Sequence, residues 1–565
     1  MYRTLTSKSS LETLRKEAKR WLHALRAADT QAADRLRQSH PKASVPPTLR
    51  DVQHALAREH GVADWMALKE MLTDNAMALR SHQQRLAEFL VESCLHYGVR
   101  PDTGKWDHMY EDGASRWRYA ARLLGRHPEV VRDSIHAAAV CGDRAEVDRI
   151  LSVRPRAATE KGGPQGWEPL VYICYGRLPL PAAGENAIAV ARALLDAGAS
   201  IDGNFGDTEH AFRCLTGVIG HGEFAQPPHP QAEALAAFLI ERGADPYEPQ
   251  SLYNTSLGTD DVFWLDFLYE RSVLRQEQYK WSAPATHWPQ GGAALNYLLT
   301  NAVSNNHLRR ARWVLDRGAN ANGRHDYSKR SLHTEAQLRG FGEMTDLLVR
   351  FGAVPESLDD RNAFQAASMR LDLDMAKALA TKHPEFLLDA TPLLQAAEHD
   401  QLEVAALLLD LGTSPDVAGK NNHRPLHAAA SRDSVRVGQL LIDRGAAIDP
   451  KETRHNGIPL GWAFVGRRQR MMAVLGKLSR DAAALTWSGN IDRLRELFAA
   501  DPQTTQLPEG TLLFHLPDDE ERALEVAEFL LSLGVDPHVR DSEGFTAAQR
   551  AEKRGLDAVA DLLTP

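Results

Sequence analysis

Hydrophobic residues in this chain recur at spacings of three and four positions, in short runs that end at glycine or proline. In residues 424–449 one such run places Val437, Leu440 and Leu441 on one helical face, as burial against another helix requires. Pro425 suits the first turn of the preceding helix, and Gly445 suits the left-handed residue after a last turn. The pattern predicts two short helices and a reversal, a unit that only a stacked neighbour can complete.

The same outer-helix ending recurs along the chain. A pair of apolar residues stands a few positions before each of these glycines: Gly198, Gly243, Gly318, Gly352, Gly412, Gly445 and Gly534. Gly412 and Gly445 lie 33 residues apart, and Gly318 and Gly352 lie 34 apart. Other intervals are longer and contain degraded units. We therefore expect roughly a dozen helical pairs from about residue 130 to the C-terminus. An irregular helical solenoid of another type is the alternative, and the recurring Pro-Leu openings and Gly-Ala stops argue against it.

Residues 424–449, R-P-L-H-A-A-A-S-R-D-S-V-R-V-G-Q-L-L-I-D-R-G-A-A-I-D, resemble one ankyrin repeat. The resemblance implies an all-α, ankyrin-type helical solenoid of irregular repeats, and a binding function for its inner helices and turns. It also implies that His427 is structural and bonds across the turns between repeats. The full T-P-L-H opening occurs nowhere, since Arg424 replaces the threonine here. We expect uneven stability along the stack, with residues 544–563 as a C-terminal capping repeat.

The N-terminal part has a different pattern. Residues 1–80 predict a small helical N-terminal domain, whose first helix carries Leu11, Leu14, Ala18, Leu22 and Leu25 on one stripe. The segment L-A-R-E-H-G-V-A-D-W-M-A-L-K, residues 56–69, is similar to a segment preceding ankyrin arrays in many bacterial proteins, which implies a bacterial source. We expect a helical connector and N-terminal cap in residues 81–130 and the ankyrin repeat array in residues 131–565.

Charge gives a second hypothesis for the N-terminal helices. The whole chain of 565 residues carries a net charge of −9, too mild to indicate a polyanionic partner. Residues 1–42, however, contain ten lysines and arginines and only four acidic residues. Such a surface could bind nucleic acid or an anionic membrane, or it could be a solvated helix face. We favour the solvated face, because aromatic residues for stacking on bases are poorly interleaved, and we expect no nucleic acid partner.

Cysteine usage and hydropathy bear on the compartment. Cys94, Cys141, Cys174 and Cys214 are far apart and form no C-x-x-C motif, so we expect small buried apolar groups in a reducing compartment. No secretory apolar segment follows Met1, and no run of about 20 apolar residues occurs. The expectation is a cytoplasmic monomer without a membrane span.

Two neighbouring units carry the same anomaly, a lengthened connection between inner and outer helix, at residues 175–181 and 220–230. Insertions of this kind map to one face of a repeat stack and are often functional. Aromatic residues follow, of which Phe263 and Phe267 are expected in the core, while Trp281 and Trp288 could be exposed or buried. Aromatic side chains are frequent binding hot spots. We therefore place the main contact surface in residues 175–290, with these partner-binding candidates: Tyr175, Arg177, Leu178, His221, Phe224, His229, Tyr253, Trp281 and Trp288.

An enzyme is the hypothesis from a different class. The chain lacks G-x-S-x-G, G-x-x-x-x-G-K-[ST], G-x-G-x-x-G and H-E-x-x-H motifs. His423 and His455 precede Pro-Leu openings and are expected on turn tips. The cluster of Trp106, Asp107, His108, Tyr110 and Glu111 matches no mechanism. We therefore expect no catalytic residue, no metal and no cofactor, and a non-catalytic scaffold or interaction module for a protein partner.

Overall fold

The computed structural model describes residues 2–3, 5, 10–100, 112–206, 211–222, 226–285, 288, 292–501, 506–507, 510–554 and 556–564. The protein is an all-α helical repeat protein, as predicted. Packing divides the chain into two compact units: Met1–Asn75 with Leu358–Pro565, here called the terminal unit, and Ala76–Ser357, the central unit. The three-part division at residues 80 and 130 stays a prediction, because the compact units follow packing and not chain order.

The α-helices, in chain order, are α1 Leu11–Arg26, α2 Thr30–Ser39, α3 Leu49–Glu59, α4 Trp65–Ala78, α5 His82–Glu92, α6 Ala114–Arg126, α7 Ile135–Cys141, α8 Arg144–Val153, α9 Pro169–Tyr175, α10 Pro181–Glu185, α11 Ala187–Asp196, α12 Cys214–Ile219, α13 Ala232–Glu241, α14 Pro249–Ser256, α15 Phe263–Leu274, α16 Ala294–Ser304, α17 Leu308–Leu315, α18 Leu332–Leu338, α19 Gly342–Arg350, α20 Asp360–Met369, α21 Leu373–Lys382, α22 Thr391–Glu398, α23 Leu402–Asp410, α24 Pro425–Arg432, α25 Val435–Asp443, α26 Pro459–Val465, α27 Gln469–Leu475, α28 Ala482–Trp487, α29 Ile491–Ala500, α30 Glu520–Ser532, α31 Ala547–Lys553 and α32 Asp557–Leu563. Short 3₁₀ helices are Pro128–Val131, Pro155–Thr159, Gln278–Trp281, Pro384–Leu388, Lys420–Asn422 and Leu512–His515. Two antiparallel hairpins pair β1 Asn204–Phe205 with β2 Phe212–Arg213, and β3 Gln506–Leu507 with β4 Gly510–Thr511.

Most of these helices form inner–outer pairs that stack in chain order. The central unit has α7/α8, α9/α11, α12/α13, α14/α15, α16/α17 and α18/α19, and the terminal unit has α20/α21, α22/α23, α24/α25, α26/α27, α28/α29 and α31/α32. Inner helices pack on inner helices, as α22, α24 and α26 do, and outer helices pack on outer helices, as α23, α25 and α27 do. Each unit therefore has a continuous apolar core of its own. Within the described residues these pairs agree with the roughly one dozen that the sequence predicts.

The repeat at residues 424–449 shows why this sequence forms the pair. Pro425 is the first residue of α24, where its missing N–H costs no hydrogen bond. Asp433 ends α24 at φ 60°, and Gly445 follows α25 at φ +87°. A left-handed residue at each helix end reverses the chain, and glycine adopts that conformation without steric cost.

Hydrogen bonds from aspartates fix the stacking register. The Asp400 carboxylate accepts from the backbone N–H of Val437 at 3.0 Å, and the Asp433 carboxylate accepts from Met471 N–H at 2.9 Å. Each aspartate lies in the turn of one pair and caps the outer helix of the next. Free N–H groups at a helix start need such acceptors, so each turn is stabilised only when the next pair is in place.

His427 provides a second contact between repeats. Its Nδ1 accepts from Arg424 N–H at 3.1 Å, so Nε2 carries the proton and donates to the Pro450 carbonyl oxygen at 3.0 Å. The ring is completely buried. Burial lowers its pKa to about 4 and keeps it neutral. The structural role expected for His427 agrees with this geometry.

The N-terminal helices pack on the last repeat of the terminal unit. Ser10 and Asp29 cap α1 and α2. In the predicted stripe of α1, Leu14, Ala18 and Leu22 are buried, and the two end residues, Leu11 and Leu25, are half-buried. Helix α1 contacts α32. Arg15 and Arg26 of α1 form ion pairs with Glu520, at 2.8 Å, and Glu528, at 3.1 Å, both on α30. The outer side of the final repeat is thus covered by helices from the other end of the chain.

Candidate recognition surface

In each unit, the inner helices and the loops that precede them form one face. We call these loops finger loops and the face the inner surface. Helices α22, α24 and α26 of the terminal unit leave several side chains on it accessible to solvent: Glu398, His399, Ser431, Arg432 and Val465. Val465 is 73% exposed, high for an apolar residue on a helix with a buried core face. The inner surface of these three repeats is open.

Three rings line this surface where the finger loops meet the inner helices. The centroid of Trp462, on α26, lies 5.5 Å from that of His423 and 6.1 Å from that of His455. His455 is exposed, and Trp462 and His423 are half-buried. The indole Nε1 of Trp462 is buried and has no hydrogen-bond acceptor within residues 292–501. We call Trp462, His423 and His455 the aromatic platform.

The finger loops of two consecutive repeats are bonded to each other beside the platform. The Asn422 side chain donates to the Lys451 carbonyl oxygen at 2.7 Å, and Thr453 N–H donates to the Asn421 carbonyl oxygen at 2.8 Å. Both asparagines have positive φ, 59° and 57°, in keeping with the preference of this residue type for tight reversals. The loops are therefore held side by side.

Glu452 fixes the second finger loop from inside. Its carboxylate accepts from the backbone N–H groups of Arg454, His455 and Gly457, at 2.6, 2.7 and 3.1 Å. Burial alone would raise the pKa of Glu452, but these three donors hold it below its ordinary value. The platform and the loop tips stand on an internally bonded support.

Over two repeats of the central unit the equivalent face is covered. Every residue of α9 and of α12 is buried. The cover is a segment after α5, residues 93–98, which is itself buried and which we call the strap. Leu95 N–H donates to the Tyr175 carbonyl oxygen at 2.9 Å, and Arg177 N–H donates to the Ser93 carbonyl oxygen at 2.8 Å.

Ring contacts carry the strap across two repeats. The ring centroid of His96 lies 5.4 Å from that of Trp167, which precedes α9. Tyr97 stacks on Phe212, which precedes α12, with 5.1 Å between the ring centroids. The Asp112 carboxylate accepts from both His96 N–H and Tyr97 N–H, at 2.9 and 2.8 Å. The strap thus lies along the inner surface, where a bound peptide would lie in an open repeat stack.

Arg177 joins the strap to the lengthened connections. Its buried guanidinium donates to four carbonyl oxygens, those of Cys174, Gly176, Gly217 and Pro227. Burial among these neutral acceptors lowers the pKa of the guanidinium. The side chain is therefore a packing element of the central unit.

These positions correct most of the sequence-based selection of contact residues. The structure buries Tyr175, Arg177, Leu178, His229, Trp281 and Trp288, the first three and His229 because the lengthened connections fold inward under the strap. Trp281 is fully buried, and its Nε1 donates to Ser272 Oγ at 3.0 Å. Of the aromatic pair expected in the core, Phe267 is buried but Phe263 is 42% exposed.

Two candidates keep surface access. His221 and Tyr253 are partly exposed, and for them a contact role remains a proposal. Phe224 lies outside the described residues, as do Trp106, Asp107, His108, Tyr110 and Glu111.

Other chemistry finds little support in the described part of the chain. Cys94, Cys141, Cys174 and Cys214 are buried free thiols. No group of three or more histidine, cysteine, aspartate or glutamate side chains there has the geometry to hold a metal ion. Among the helices that the structure describes, none combines the length and the apolar character needed to cross a membrane.

Helical pairs that bury their apolar faces only against the next pair define a helical repeat protein. Within that class, residues 365–453 match the family described as ankyrin repeats (3 copies), and the chain is an ankyrin repeat-containing protein. No curated protein matches the chain. Ankyrin repeats generally serve as protein–protein interaction modules and are typically non-enzymatic.

Proposed function

We propose that the protein binds a protein partner through the inner surface of its terminal unit, between residues 391 and 466. One observation carries this proposal. Helices α22, α24 and α26 keep side chains open to solvent, whereas the strap covers α9 and α12 of the central unit. A partner can therefore reach the inner surface at α22, α24 and α26, whereas the strap occupies it at α9 and α12.

The aromatic platform supports a protein partner in particular. Tryptophan is enriched among residues that dominate protein interfaces, because it buries a large area and loses few rotamers. Trp462 is half-buried on the inner surface, so part of its ring is open for a bound segment to cover.

The basic N-terminal helices support an anionic partner less well. Arg3 and Arg35 share Glu17 and Glu59 in a closed set of ion pairs, at 2.6–2.9 Å. Arg15 and Arg26 form ion pairs with α30, as described above. These pairs neutralise much of the charge that the sequence places on this segment. We propose no catalytic residue, and we keep the cytoplasmic location as a proposal supported by the four buried thiols.

Site-specific cross-linking tests the proposal. A photo-cross-linking residue at Val465, on the inner surface, is compared with one at Asp443, an exposed position on outer helix α25. Illumination in the native cytoplasm should attach one protein in stoichiometric amount to the first position and not to the second. Substituting Trp462→Ala in the first variant should abolish that product. Equal labelling from both positions, or a product that survives Trp462→Ala, would contradict the proposal.

A further inference from the structure

Cations without ion pairs stand beside the aromatic platform. Lys420 lies at the tip of one finger loop, and Lys451 and Arg454 lie at the tip of the next, all three exposed. None of them forms an ion pair within residues 292–501, a range that the structure describes completely. Because the two loops are bonded through Asn421 and Asn422, the three cations belong to one patch.

Three carboxylates of the finger loops face the protein. Glu452 is only 2% exposed and accepts three backbone N–H groups. Asp416 accepts from Ala447 N–H, and Asp449 accepts from Ser479 Oγ at 2.7 Å and from Arg480 N–H. These three acidic side chains are therefore used inside the fold. Glu385 and Asp389, which line one cavity with Lys420, are bonded to His383 and Arg361 instead.

We infer that the partner presents an acidic segment of extended polypeptide, with an apolar side chain placed on Trp462 and its carboxylates at Lys420, Lys451 and Arg454. The inference rests on the proposed function and names the chemistry of its partner. Complementary charge at the rim of an interface steers the encounter and excludes wrong partners. The apolar contact at the platform supplies the area that is removed from water.

A polypeptide fits this surface better than a nucleic acid strand. The acidic side chain of Glu398 lies on the same inner surface and interacts electrostatically with His423. A strand with one phosphate per nucleotide would be repelled there, whereas a peptide can present a neutral residue at that point. The net charge of −9 also disfavours the approach of a polyanion at long range.

The test uses the full-length chain and a phage-displayed library of random peptides. Selected peptides are synthesised with a fluorescent label, and their affinities are measured by fluorescence polarisation. The charge variant is Lys420→Glu with Lys451→Glu. Its matched control is Lys377→Glu with Lys477→Glu, two exposed lysines on or directly after outer helices that form no ion pair within residues 292–501. Thermal unfolding should be alike in both variants, since no partner is lost in either.

We expect the selected peptides to be acidic and to need Trp462. The charge variant should weaken them about tenfold or more, and the control less than about twofold. Affinity should fall when NaCl rises from about 0.05 M to about 0.5 M. Neutral or basic peptides that need Trp462 would overturn the acidic partner and leave the proposed function standing. Peptides that bind without Trp462 would overturn both. Binding of an oligouridine strand that the charge variant abolishes would overturn the inference in favour of nucleic acid.

Discussion

Acid should destabilise the repeats around His427, and the substitution His427→Gln should remove that sensitivity. In the folded protein the ring is buried, neutral and bonded on both nitrogens. Protonation would place a hydrogen on Nδ1, which now accepts from the Arg424 N–H, and would bury a charge. Glutamine can accept at one end of its amide and donate at the other, but it does not titrate.

The size of the effect follows from the two pKa values. Burial lowers the folded-state pKa to about 4, against an ordinary 6.5 in the unfolded chain. Because the folded value is the lower one, the unfolded chain binds more protons between these limits, and stability falls as pH falls. The contribution is complete above pH 6.5. Going from about pH 7 to about pH 5 should remove about 2 kcal/mol from the local free energy of unfolding.

A local measurement is needed, since long repeat arrays need not unfold in one step. Hydrogen exchange with mass spectrometry along a urea series gives the free energy of unfolding for peptides that cover α24 and α26. His427→Gln should cost about 1 kcal/mol at about pH 7 through poorer hydrogen bonds. At about pH 5, where the unsubstituted protein has lost about 2 kcal/mol, the variant should be the more stable of the two by about 1 kcal/mol.

His455→Gln is the matched control, because this histidine lies in the next finger loop and is exposed. It should keep the pH dependence of the unsubstituted protein. If His427→Gln kept the same loss of stability between the two pH values, another group would be titrating, and the assignment of the effect to the buried imidazole would be wrong.

Three further substitutions probe the contacts that build the fold. Asp433→Ala removes the cap of Met471 N–H, so the outer helix α27 should lose about 1 kcal/mol of local stability, seen as faster exchange at its first turn and not at its last. Arg177→Met leaves four carbonyl oxygens without their donor, so the strap should lose about 3 kcal/mol of protection by hydrogen exchange; unchanged exchange in residues 93–98 would refute its structural role. Arg15→Met breaks the ion pair with Glu520 and should lower the stability of α30 by about 2 kcal/mol, while α20 and α22 keep their exchange rates.

The repeats were predictable because their signals are local. Pro425, the leucine pair of α25 and Gly445 each favour one conformation through their own covalent structure or spacing, and neighbouring units repeat the choice. The helix starts at Ser10 and Asp29 are local in the same sense, since each capping side chain accepts from a backbone N–H three residues on.

The direction of the lengthened connections was not predictable. Their place between inner and outer helices was clear from the sequence, but Tyr175 and Arg177 pair with a strap about 80 residues earlier. No local pattern encodes that pairing. An insertion rich in proline and aromatic residues therefore indicated a projecting loop, while the strap turned the same side chains into core.

The aromatic platform was missed although the sequence contained a signal. Trp462 occupies the position that Ala428 and Gln395 hold in the two preceding repeats, 34 and 67 residues earlier. A bulky ring at a position where the neighbours are small or polar stands out only when the repeats are aligned by their turns. That Lys420 and Lys451 form no ion pair within residues 292–501 could not be predicted from the sequence, because it depends on which groups the nearby carboxylates bind.

The contact between α1 and α32 cannot form until the nascent chain is almost fully synthesised. Ribosomes add about 5–20 residues per second, so α1 must wait about half a minute to two minutes for α32 to be synthesised. Throughout that interval the part of its apolar stripe that meets the final repeat has only temporary cover. Slower elongation near the end of the message would prolong this period, during which α1 lacks its contact with α32.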